Sequence, residues 1–140
     1  MIVVVGASGQ LGGKIARGLL ARGKPVRVFA RRESSVARLV EAGATVAIGD
    51  LRDRASLDAA CRGATTLIST ANSARRTGDD NVQTVDLDGT RNLIDAAKAA
   101  GVGHVVYTSV LIWTHVSSQH RRAMRRWLSF FSLPRLVTPG

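Results

Sequence analysis

The 140-residue chain has a single cysteine, Cys61, so no disulfide can form within it. A lone thiol suits a reducing compartment, and the expected setting is cytoplasmic. No apolar run approaches the roughly 20 residues of a membrane-spanning helix. The first apolar run, Ile2–Val5, is short and has no basic stretch before it, so it is not expected to be a secretory signal peptide. There is one tyrosine, Tyr107, and lysine occurs only at Lys14, Lys24 and Lys98. Acidic residues are absent after residue 110.

What is present suits one soluble domain. The chain is 45% hydrophobic and 21% charged, which argues against wholesale disorder. The net charge of +10 is unevenly spread. Residues 1–110 hold 15 Lys and Arg against 10 Asp and Glu, whereas residues 111–140 hold five Arg and no acid. That last stretch also carries both tryptophans, two of the three histidines and two of the three phenylalanines. The chain therefore divides into a domain over residues 1–110 and a basic tail over 111–140 of uncertain order.

Up to residue 110, short β-branched runs alternate with segments of helical period. The runs are Ile2–Val5, Val26–Ala30, Thr45–Ile48, Thr65–Ser69 and His104–Ser109. Helices are expected at Gln10–Arg22, Ser34–Ala42, Ala55–Cys61 and Val82–Ala100. In the first of these, Leu11, Ile15 and Leu19 recur every four residues with Leu20 beside them, predicting one buried stripe. Gly23, Gly43 and Gly101 mark helix ends. Uniformly apolar strands in βα repeats point to a parallel sheet covered on both faces, doubly wound in the order 3-2-1-4-5.

The first turn carries the clearest chemistry. Gly6, Gly9 and Gly12 follow the first strand and open the first helix. Gly6 would allow a tight turn, Gly9 a close approach of backbone to a pyrophosphate, and Gly12 close packing of helix on sheet. The helix-start amides around Gln10 and Leu11 would face a phosphate, with Ser8 adding a hydroxyl. The plainer alternative is a structural turn.

The nucleotide's identity depends on the end of the second strand. An acid about 20 residues past the glycines would bind the ribose hydroxyls of NAD. Here Arg31 and Arg32 stand instead, and guanidinium forks suit the 2′-phosphate of NADP. Both arginines could equally be solvated, and Glu33 keeps NAD in play. Asp50 could accept from the adenine amino group while Leu51 packs on the ring, or Asp50 could be a turn acid. Ser69, Thr70, Ala71 and Asn72 end the fourth strand at the carboxyl edge, where ligands gather in open sheets.

These residues together resemble the short-chain dehydrogenase/reductase superfamily, in its atypical NmrA-like branch. The likeness rests on VVVGASGQLGGKIARGLL, on GDLRD at 49–53 and on DLDGTRNLIDAAKAAGVGHVVYTSV at 86–110, and it covers about residues 1–110. It implies a Rossmann fold, an NAD(P) site at Gly6, Gly9 and Gly12, and adenine contacts at Asp50 and Leu51. It also implies an NADP preference at Arg31. Members of the branch include NADPH-dependent quinone and flavonoid-type reductases and non-catalytic redox sensors. The superfamily's Tyr/Lys dyad is absent, because position 111, four residues after Tyr107, is leucine. The standard proton-transfer mechanism is thereby removed.

Other polar residues earn smaller roles. Ser109 is the nearest candidate beside a nicotinamide. Asn92 reads as structural, Cys61 as a packed thiol, and His104 as a strand residue without visible ligand partners. Arg75 and Arg76 lie in a loop that could cover a ligand but suits solvent better. No catalytic residue and no metal site are assigned.

The likeness is expected to stop near Leu111. Met124, Trp127, Leu128 and Phe131 fall at helical spacing beside Arg121, Arg122, Arg125 and Arg126. Such a helix could dock on the sheet, an anionic membrane surface, nucleic acid or an acidic partner. A different reading frame of the same gene accounts better for the loss of acids and the arginine enrichment. Either way the fifth strand would present an open edge, with marginal stability or oligomerisation through it as the expectation. The expected function is the NAD(P)-binding domain of an oxidoreductase that reduces a small carbonyl or quinone with NADPH. A non-catalytic NADP-sensing regulator is the alternative.

Overall fold

The computed structural model describes residues 1–73 and 78–109. Residues 1–109 form one compact unit. Five strands make a parallel sheet: β1 (Ile2–Val5), β2 (Val26–Ala30), β3 (Thr45–Ile48), β4 (Thr66–Ser69) and β5 (His104–Tyr107). Their order is β3-β2-β1-β4-β5, the expected doubly wound arrangement of a Rossmann-type α/β fold.

Alternation along the strands divides the core in two. Val3 and Val5 of β1 join Leu67 of β4 beneath α3 (Arg54–Cys61) and α4 (Thr90–Ala99), with Leu57, Ala60, Leu93 and Ala97. Val4 faces the other way, with Val26 and Val28, beneath α1 (Gln10–Leu20) and α2 (Ala37–Glu41). Register ties the layers together, since Val3 pairs with Arg27 on one side and Leu67 on the other. Arg27 extends from β2 to donate Nη1 to the carbonyls of Ala60 (2.7 Å) and Arg62 (2.9 Å). It thereby satisfies the carboxyl end of α3.

The structure differs from the sequence expectation in four places. In α1 the expected Leu19 and Leu20 do pack against the core, but the buried line continues through Ala16, Gly13 and Gly12 rather than Ile15 and Leu11, and Leu11 is 53% exposed. The line facing the sheet uses small residues because the helix lies directly on the turn that precedes it. The segment 34–42 is not one helix but a 3-10 turn, Glu33–Ser35, followed by α2, with the break at buried Val36. Ser35 Oγ donates to the Arg32 carbonyl (2.6 Å), competing locally with helix formation. The long helix expected from Val82 begins instead as a π-helical segment, Val82–Gly89, capped reciprocally by Asn81 and Thr84. Finally, β5 ends at Tyr107 rather than Ser109.

Among the described residues β5 is an outer strand, and its Val105 and Val106 are exposed. No helix among the described residues is long and apolar enough to cross a membrane.

Candidate cofactor-binding site

The chain leaves β1 through Gly6, whose φ of +82° lies in the left-handed region that favours glycine. A Cβ there would also come within 2.6 Å of Thr70 Oγ1 and 2.8 Å of the Ala71 amide. Gly12 is the third residue of α1, within its first turn, and a Cβ on it would run into the Gly6 carbonyl and Thr70 Oγ1. These two residues are required by the protein's own packing. Gly9 is different: it is exposed, and a Cβ on it would touch only the Gly6 carbonyl, at 3.2 Å. It brings α1 no side-chain cap, and the first turn of the helix holds no acid. The amides of Gln10, Leu11 and Gly12 therefore begin a helix whose terminus carries only its own partial positive charge. That is a cradle suited to phosphate oxygens.

Beside this turn, at the carboxyl ends of β1 to β4, lies a solvent-open cleft. Gly6, Ser8, Arg31, Asp50, Leu51 and Ala71 line it, together with Phe29, Asn72, Asp80 and Val85. Gly9, Gln10, Leu11 and Gly12 belong to the adjoining turn and helix start rather than to its wall. Arg32 and Glu33 do not line it either, and both are exposed. The position is where strand order reverses in an open sheet, the crevice in which such folds take ligands.

Two ion pairs organise the charged rim. Arg31 Nη1 donates to Asp80 Oδ2 at 2.8 Å, with the Arg31 side chain about half exposed and that of Asp80 only 16% exposed. Arg52 grips Asp50 as a fork, Nε to Oδ1 and Nη2 to Oδ2, both at 3.0 Å, and adds its backbone amide to Oδ1 at 2.9 Å. The Arg52 hydrogen bond holds the Asp50 carboxyl below its ordinary value, against a partial burial that works the other way. A carboxylate offers about four lone-pair sites, so Asp50 can still accept a further donor. The loop after β3 is pinned from below, where Asn92 Nδ2 of α4 donates to the Leu51 carbonyl at 3.1 Å.

Four segments thus bring together six of the ten residues expected at the site. Sequence reasoning missed Asp80, which lies 49 positions from Arg31. Nothing local separates it from its neighbour Asp79 in a polar loop. Asn92, expected to be structural, donates to the Leu51 carbonyl and is thereby a positioning residue for the candidate site. Ser109 is exposed and does not line the cleft. Tyr107 is half-buried, and burial pushes its phenol up, against a Thr90 hydrogen bond that lowers it. Cys61 is fully buried, and burial followed by the nearby Asp58 charge pushes its thiol up, away from reactivity. Arg75, Arg76 and the tail at 111–140 lie outside the described residues.

Residues 1–129 match the NmrA-like family model. The chain belongs to the NmrA-like family. The match runs past Leu111, further than the motifs that first suggested it. Among curated relatives, sterol demethylase protein B of Methylococcus capsulatus is 44% identical over 109 residues, covering 76% of this chain and 33% of that protein. The photosystem II assembly factor Ycf39 of Cyanophora paradoxa is 41% identical over 110 residues, covering 79% and 34%. The chain thus spans about a third of these relatives' length. Among solved structures, an NADPH-dependent quinone oxidoreductase of Escherichia coli, complexed with NADPH, superposes with a TM-score of 0.68 at 29% identity. That alignment covers 92% of this chain and 45% of the other.

Proposed function

We propose that residues 1–109 form the NADP-preferring dinucleotide-binding unit of an NmrA-like oxidoreductase that reduces a small carbonyl or quinone. The observation that carries this reading is the cleft at the strand ends, lined by Arg31, Asp50 and Leu51 and adjoining a helix start that has no side-chain cap and no acid in its first turn. In it the α1 amides and Ser8 take the pyrophosphate. Arg31 takes the 2′-phosphate, while Asp50 and Leu51 hold the adenine, and Ala71 flanks the nucleotide at the end of β4. The bound nucleotide would supply the hydride; these residues bind and orient it. Likeness to a quinone oxidoreductase complexed with NADPH supports both the cofactor and the substrate class.

A second reading has its own support, since one relative is named an assembly factor rather than a reductase. In that case the chain binds NADP and performs no chemistry. Oxidation of NADPH by the 140-residue chain, followed with and without simple quinones and carbonyls, separates the two. Quinone- or carbonyl-dependent oxidation is the outcome expected of the reductase. Saturable NADPH binding without turnover across the panel would select the regulator.

A further inference from the structure

Arg31 is not simply an open phosphate receptor. Its guanidinium already holds the Asp80 carboxylate at 2.8 Å, and both residues line the cleft. The backbone around Asp80 is anchored independently of that contact. Asn81 and Thr84 cap each other's amides, and Thr84 Oγ1 also donates to the Asp79 carbonyl. Asp80 is therefore presented to Arg31 by a built turn. Any phosphate that docks on Arg31 shares the guanidinium with this carboxylate, which sets two like charges against the same cation. A nucleotide with a free ribose 2′-hydroxyl meets no such repulsion.

We propose that Asp80 is a specificity-determining residue: its carboxylate opposes the 2′-phosphate on Arg31 and holds the preference for NADP over NAD below what Arg31 alone would give. This rests on the dinucleotide reading of the cleft. Arg31 attracts the 2′-phosphate and Asp80 tempers that attraction, so the chain discriminates less sharply between NADP and NAD. Both side chains meet solvent, so the effect should shrink as salt rises.

The test is titration of the 140-residue chain, Asp80→Asn and Asp80→Ser with NADP and with NAD. The readout is the ratio of the two dissociation constants within each protein, which cancels any general loss of stability. Removing the charge should tighten NADP about tenfold while NAD changes by less than about twofold. At about 1 M salt the gap between variant and parent should largely close. If Asp80→Asn does not melt cooperatively, Asp80→Ser supplies the same ratio with a smaller neutral side chain. A ratio that stays put, or moves toward NAD, while the parent chain binds both nucleotides overturns the role of Asp80 and leaves the cleft reading intact. Failure of the parent chain to bind either nucleotide overturns both.

Discussion

The turn from β1 into α1 and the charged rim across from it border one cleft, yet they depend on different kinds of information. The turn is a backbone device contained in residues 6–12, where Gly6 and Gly12 are demanded by contacts with Thr70 and with each other. The rim is assembled from side chains far apart in sequence: Arg31 after β2, Asp50 after β3 and Asp80 before the π-helical segment. Damage to the turn should therefore be structural and indifferent to which nucleotide is present. Damage to the rim should leave the fold standing and change selectivity.

The largest effect that would break this contrast lies at Gly12. Gly12→Val drives side-chain carbon into the Gly6 carbonyl and Thr70 Oγ1, with backbone on one side that has no room to yield. A loss of about 3 kcal/mol or more in denaturant unfolding is expected. A variant that folds normally would show that the turn's tightness is not required. A smaller effect is expected from Asn92→Ala, which removes the bond to the Leu51 carbonyl. Stability should fall by about 1 kcal/mol, and affinity for NADP and NAD should weaken together, because the loop meets the part common to both. A selective loss for one nucleotide would place Asn92 in a different role.

The smallest effect concerns acid. Asp50 has its folded pKa lowered from 3.8 by Arg52, so its contribution to stability is present above that value and is lost as pH falls through the lower folded one. Below about pH 4 the parent chain should lose stability more steeply with acid than Asp50→Asn does. Identical slopes would mean that the Arg52 fork does not persist in solution.

The same contrast explains what could be read from the amino acids. The strand order followed from apolar runs separated by helical segments, and the glycine turn from spacing alone, since both are properties of contiguous residues. Leu11 misled because its period with Ile15 and Leu19 suggested burial, whereas the close approach of helix to turn selects Gly12, Gly13 and Ala16 for the contact. The π-helical stretch was invisible for a related reason: Val82 and Val85 stand three residues apart, as they would in an α-helix, and no residue type in Val82–Gly89 distinguishes the wider winding from the α-helix that follows at Thr90. Asp80 could not be singled out, because its significance comes from the sheet order that brings the loop after β4 to the end of β2.

The most direct test of the account is thermal melting of the 140-residue chain with NADP, with NAD and with neither, beside Arg31→Gln under the same conditions. The account predicts one cooperative transition, raised more by NADP than by NAD in the parent chain, with that advantage lost in Arg31→Gln. A cooperative transition that neither nucleotide moves would contradict the central claim that this cleft is a dinucleotide site.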